Sequence, residues 1–324
     1  MTNDLLKFIK ILLKGAGQVM FQNSAWTGIF FILGIIAGAV IEGQPVVAIG
    51  AVVGLIVSTI TGYILKQPQD EGDAGLWGFN GILVGCAFPT FMANTLLMWL
   101  ALILCAAMTT WVRTGLNNVM APWKVNSFTF PFVFATWIFL LCTHTFDGLR
   151  GEYMSSPSLL IDFSTSTNFD FTNLIDSWLK GISQVFLINS WFAGLLFLIG
   201  LYLSSRWAAL WAAVASAIAL IVALMFRASG IEIANGLYGF SATLTGIAIG
   251  CTFYKPGIKS AIWAVLGIIA TVFVQAGMNA LFEPFGIATL TAPFCITTWL
   301  FLLPRLNLND DTAMQPDHSH WHKK

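Results

Sequence analysis

The sequence predicts an all-α integral membrane protein with about ten transmembrane helices, arranged as two inverted five-helix repeats. Three observations predict it. The chain of 324 residues is 57% hydrophobic and 9% charged, with a mean hydropathy of +0.80; soluble domains carry about 25% charged residues. Three sequence blocks occur twice in the same order. The positive charges are distributed to one side of an alternating set of spans.

The repeated blocks are QVMFQNSAWTGIFFILG from Gln18 against QVFLINSWFAGLLFLIG from Gln184, GLWGFNGILVG from Gly75 against GLYGFSATLTG from Gly236, and TFPFVFATWIFLL from Thr129 against TAPFCITTWLFLL from Thr291. Identities are 7 of 17, 6 of 11 and 8 of 13, at offsets of 166, 161 and 162 residues. Shared hydrophobicity alone does not align Gln, Asn, Gly, Pro, Thr and Trp, so the chain is an internal repeat.

The elements follow in order. The N-terminal stretch carries Lys7, Lys10 and Lys14 beside a short apolar run and lacks a small-residue cleavage site, so it is not read as a signal peptide. Apolar stretches then run at 25–42, 45–65, 76–93, 94–112 and 128–145, and again at 183–204, 207–226, 236–253, 260–282 and 288–304. About 20 apolar residues cross the hydrocarbon as a helix, whereas barrel strands alternate over about ten. The glycine-rich second blocks, and the segment around Gly15, Gly17 and Gln18, are candidates for helices that stop part way.

Five spans per half make the second half enter the membrane from the opposite side. With the N-terminus in the cytoplasm, 12 of 15 positive charges fall inside, and only Arg150, Lys180 and Arg227 fall outside. Both termini are expected to be cytoplasmic. The expected divisions are 1–145 for the first half, 146–180 for an extracytoplasmic linker, 181–305 for the second half and 306–324 for a cytoplasmic tail. The linker holds SSPS, STSTN, Asp162, Asp170 and Asp176; the tail holds His318, His320 and His322 and is read as having no specific role.

Several function classes drop out. No basic face or motif indicates nucleic-acid binding. The chain has no HExxH, no GxSxG and no repeated carboxylate pair, so no enzymatic activity is expected. The five cysteines sit singly in apolar stretches, and no disulfide framework, metal site or cofactor is expected. No ionisable residue is read as recurring inside the membrane; Glu42, Glu232 and Glu283 lie near segment ends and are read as unmatched. Ion pumps and proton-coupled carriers use intramembrane ionisable groups, so a neutral solute moving passively is expected.

What recurs instead is polar and neutral. Gln18 pairs with Gln184, Asn23 with Asn189 and Thr129 with Thr291. Asn23 and Asn189 are read as helix–helix contacts. The glutamines and threonines lie beside glycines or a T-x-P-F break, where carbonyls and hydroxyls could accept N–H groups from a polar solute. Phe79 and Leu83 lie four apart, as do Phe240 and Leu244, so each pair shares a helix face. Phe21 and Leu187 follow the glutamines at matching positions, with Val19 and Val185 nearby. The combination describes a narrow apolar slot with acceptors along one edge, suited to a planar amide. Pro131 and Pro293 are expected to free an upstream carbonyl. Gly115, Asn117 and Pro122 match Gly277, Asn279 and Pro284 and read as structural punctuation.

QVMFQN, GLWGFNGILVG and TFPF–TW, each present twice between Gln18 and Leu303, resemble the urea transporter family. The resemblance implies ten spans with two re-entrant half-helices and a homotrimer with one pore per protomer. It implies passage of urea across a bacterial inner membrane through a narrow filter at the repeat interface. Gln18 and Gln184 would sit at oxygen ladders. Val19, Phe21, Phe79 and Leu83 would form one slot, and Val185, Leu187, Phe240 and Leu244 the other, with Thr129 and Thr291 at the constriction. Short amides, ammonia or water are the alternative solutes. Two departures stand out: Ser241 replaces Asn80, and Leu187 replaces the aromatic at Phe21.

Overall fold

The computed structural model describes residues 2–156 and 171–308, which are helical with no strand. Asp162, Asp170 and the tail histidines lie outside the described residues. The chain forms two compact units, one ending at Met154 and the other starting at Ser155.

The first unit contains α1 (Thr2–Gln18), α2 (Ala25–Ile41), α3 (Pro45–Ile64), α4 (Gln69–Asp73), α5 (Phe79–Phe91), α6 (Leu96–Met120) and α7 (Phe130–Cys142). The starts have local causes. The Ser24 hydroxyl accepts the Thr27 N–H at 3.3 Å and the Thr95 hydroxyl accepts the Met98 N–H at 3.2 Å, each satisfying a donor that the first helical turn leaves open. Pro45 opens α3 with its φ already helical. Inside the unit α3 packs closely on α5 through glycines: a Cβ on Gly54 would lie 2.1 Å from the Gly81 carbonyl. Such small residues let backbones approach where lipid removes the hydrophobic drive.

The second unit repeats the order: α8 (Phe171–Ser183), α9 (Trp191–Ser204), α10 (Arg206–Met225), α11 (Gly230–Ala234), α12 (Gly239–Ile247), α13 (Ile258–Phe282) and α14 (Ala292–Leu302). A π-helical turn, Ala248–Thr252, extends α12. The packing is filled differently, because Trp211 covers Gly250 and Ala215 meets Gly246. Asp176, placed by sequence in the linker, lies on α8, which packs on α9 and α12.

All ten expected apolar stretches fall on helices, but their lengths differ. Among the described residues four helical stretches are long and apolar enough to cross a membrane: Pro45–Ile64, Leu96–Trp123, Arg206–Met225 and Ile258–Phe285. A bent pair, Thr172–Phe186 and Trp191–Ser204, makes a fifth if taken as one span, with a 71° angle at its break. The expected span 183–204 is therefore interrupted, because Leu187 takes a left-handed backbone at φ +57°. Leu96, Ile64 and Met225 are among many exposed large apolar side chains, a surface suited to lipid rather than water.

Candidate functional site

Each unit makes the same break after its first helix. In the first, α1 ends at Gln18 and the chain turns through Val19 and Met20 to Phe21 at φ +63°. In the second, α8 ends at Ser183, Gln184–Phe186 form a 3-10 turn, and Leu187 takes the left-handed position. The turns close with Phe21 N–H donating to the Gln18 carbonyl at 3.0 Å and Leu187 N–H to the Gln184 carbonyl at 2.9 Å. A bulky side chain at positive φ is strained and persists only where its surroundings enforce it.

The break aims the two glutamines. Gln18 Nε2 donates to the Ala74 carbonyl at 2.9 Å, and Gln184 Nε2 to the Asn235 carbonyl at 3.0 Å. A carbonyl only accepts, so it captures the amide nitrogen and leaves Oε1 as the side chain's acceptor. These carbonyls are delivered by the turns at Gly75 (φ +83°) and Gly236 (φ +70°). A Cβ there would come within 2.5 Å of Gly15 N and 2.4 Å of Gly181 N respectively, so glycine is required twice over.

The second blocks follow as helices. Phe79 opens α5 with Leu83 one turn on, and Phe240 and Leu244 repeat the spacing in α12; all four are buried. Val19 and Val185 are buried as well, while Leu187 is half-buried. The third blocks enter through a second pair of left-handed residues, Phe128 at φ +50° and Leu290 at φ +53°. The buried Thr129 and Thr291 then cap α7 and α14. Pro131 and Pro293 stand in the first turn of these helices, where no intrahelical bond exists to be lost. The carbonyls they were expected to free, of Ser127 and Thr289, accept the N–H groups of Phe130 at 3.0 Å and Ala292 at 3.3 Å.

In the first unit the three blocks meet. The Phe21 and Phe128 rings approach edge-on at 6.3 Å. Asn80 accepts the Phe132 N–H at 3.1 Å and donates to the Phe128 carbonyl at 3.5 Å, joining α5 to the entry of α7. In the second unit α12 packs on the Gln184–Phe186 turn and on α14, which brings the same segments together. Ser241, in the place of Asn80, has a buried hydroxyl with no hydrogen-bond partner.

Sequence reasoning missed Asn80, Phe128 and the carbonyls of Ala74 and Asn235. It also misjudged Glu232: the second block's offset of 161 residues sets it opposite Glu71. Lys14 and Lys180 likewise match at the first offset of 166. Glu71 pairs with Arg113 at 2.7 Å, both largely buried. Glu232 instead accepts from Tyr238 Oη at 2.8 Å and Asn279 Nδ2 at 3.2 Å. Burial pushes the Glu232 carboxyl above its ordinary range; the Tyr238 and Asn279 hydrogen bonds oppose this and the Glu283 charge adds to it. The matched Asn117 and Asn279 are more than punctuation, since each holds the segment ahead of its threonine: Asn117 Oδ1 accepts the Ser127 N–H at 2.9 Å and Asn279 Oδ1 accepts the Thr289 hydroxyl at 3.2 Å.

These segments carry side-chain acceptor oxygens together with buried Phe, Leu and Val, with no ionisable side chain among the site residues. Among the described residues no cluster of His, Cys, Asp or Glu could hold a metal.

The sequence profile of the family described as urea transporter matches residues 9–306. Urea transporter 1 of Ovis aries is 30% identical over 301 residues, covering 92% of this chain and 77% of that protein. Urea transporter 1 of Capra hircus is 29% identical over 301 residues with the same coverage. Urea transporter 1 of Rattus norvegicus is 28% identical over 302 residues, again at 92% and 77%. A match of this extent, on a multi-pass helical chain whose repeated blocks build the same break twice, makes the chain a member of the urea transporter family.

Proposed function

We propose that the chain conducts urea passively, through one slot in each half. The observation that carries this reading is the duplicated glutamine: each side-chain nitrogen is tied to a backbone carbonyl, which leaves each Oε1 as an acceptor. Urea is planar, with four N–H donors and one acceptor. A slot of Val19, Phe21, Phe79 and Leu83, or of Val185, Leu187, Phe240 and Leu244, would hold its faces while oxygens take its edge. Thr129 and Thr291 would mark the constriction. Binding would be in the millimolar range, about −4 kcal/mol, because tight sites slow exit from a channel.

We further infer ten crossings as two inverted repeats with two re-entrant half-helices, in a bacterial inner membrane with both termini in the cytoplasm. The ten apolar segments, the bent pair at α8 and α9, the matching left-handed break after α1 and the charge bias support this. A homotrimer with one path per protomer follows from the family resemblance.

Urea uptake into proteoliposomes, followed by stopped-flow light scattering against glycerol and acetamide, tests the function. Fast, weakly saturating urea flux is expected, falling roughly fivefold in Thr129→Val or Thr291→Val through loss of about 1 kcal/mol of hydrogen bonding. Flux no greater than through bare liposomes would sink the urea reading, and faster acetamide than urea would favour short amides.

A further inference from the structure

We propose that Glu232 and Asn279 are positioning residues for the second slot, holding together the two backbone segments that supply its acceptors. The proposal rests on the two-slot reading of urea passage above. Glu232 lies on α11, three residues before Asn235, whose carbonyl aims Gln184. Asn279 lies on α13 and accepts from Thr289, two residues before Thr291. The chain Tyr238–Glu232–Asn279–Thr289 therefore runs from the segment under the glutamine to the segment under the threonine, with links of 2.8, 3.2 and 3.2 Å.

The other half solves the same task with an ion pair. Glu71 meets Arg113 on α6, and Asn117, one turn further along, holds Ser127 N. At the offset of 162, Gln275 stands where Arg113 would be. It donates to Asn279 Oδ1 at 2.8 Å and Thr289 Oγ1 at 2.7 Å, bracing the neutral network instead of neutralising the carboxylate. Charged groups on the surrounding elements are Asp176 and Lys180 on α8, Arg206 and Arg227 at the two ends of α10, Lys259 on α13 and Glu283 after it. Among the described residues no cation pairs with Glu232. Its two oxygens accept one donor each; protonation weakens the carboxyl as an acceptor and adds an O–H donor, which of these two partners only Tyr238 could accept, by turning its hydroxyl, because Asn279 Nδ2 can only donate. The second slot is thus held in register by a carboxylate that protonation loosens, where the first half has the Glu71–Arg113 ion pair instead.

The test is urea permeability of proteoliposomes at equal internal and external pH, with the half-saturating urea concentration measured at each pH. The wild type is expected to show a several-fold rise in half-saturation as pH falls, with a midpoint above the ordinary glutamate range. Glu232→Gln is expected to be flat, fixed at the acid value. Tyr238→Phe removes one donor to the carboxylate and moves the midpoint up, and Gln275→Arg supplies a cation and moves it down; either serves if Glu232→Gln fails to fold. A flat wild-type profile with normal urea flux, or unshifted midpoints in both Tyr238→Phe and Gln275→Arg, overturns the positioning role alone. Absence of urea flux in the wild type at every pH overturns the urea reading and the proposal with it.

Discussion

Asn80 and Ser241 occupy the same position in their blocks and do unequal work. The Asn80 carboxamide reaches two backbone groups at the entry of α7, whereas the Ser241 hydroxyl reaches none. Removing a partner from a buried backbone donor costs about 1–3 kcal/mol, while removing a group that bonds nothing costs little. Asn80→Ala is therefore expected to lower thermal stability by about 1–3 kcal/mol and Ser241→Ala to change it by less than about 0.5 kcal/mol, as measured by unfolding in detergent. Equal effects would show that the bridge to α7 contributes nothing. At this scale the glutamines, threonines and Phe/Leu pairs were legible because they recur. Asn80 was visible only as a departure, since a residue that serves one half leaves no repeat signal. Glu232 was missed for another reason: its counterpart Glu71 lies just outside the repeated block, in a stretch where the surrounding residues of the two halves differ.

The helices on the ten apolar stretches differ in length. α5 has 13 residues and rises about 20 Å, short of a hydrocarbon core of about 30 Å. Apolar content extends beyond it because the turn at Gly75–Gly78 and the capping segments are themselves buried. The left-handed residues that set these ends match across the halves: Phe21 with Leu187, Lys66 with Arg227, Lys124 with Gly286, Phe128 with Leu290, and Gly75 with Gly236. Only two of these five pairs carry glycine on either side, so turn chemistry in the sequence marked few of the breaks. Where glycine does stand, it is needed. Gly236→Ala is expected to destabilise the protein by at least about 1–2 kcal/mol from positive φ alone, with the close approach to Gly181 adding to it. The Asn235 carbonyl moves with that turn, so urea flux should fall further than the loss of folded protein explains. Flux normalised to folded protein that stays at the wild-type value would separate the turn from the slot.

For the molecule as a whole, the charge pattern and the neutral site make separate predictions. The proposed ten-span topology puts 12 of 15 positive charges on one side, so single cysteines placed at Lys66 and Lys255 should label only from the cytoplasmic face. A cysteine at Arg227 should label from outside intact cells; the reverse pattern would refute the expected orientation. The proposed path, lined by neutral acceptors, has nothing to couple to a gradient. Imposing a proton gradient or a membrane potential should therefore never drive internal urea above the external concentration, as read by isotope uptake. Accumulation beyond equilibrium would exclude a passive path.

The sequence by itself determined the helical membrane class, the duplication and the family, because hydropathy and repeated polar identities are one-dimensional properties of the chain. It also named the glutamines and threonines, which two halves retained in parallel. Only the tertiary structure decided where those glutamines point, because the partners that orient them are backbone carbonyls of Ala74 and Asn235, and a carbonyl has no letter in the sequence. The same holds for the strained breaks at Phe21, Leu187, Phe128 and Leu290, whose left-handed backbones are imposed by the packing around them rather than by their own preference.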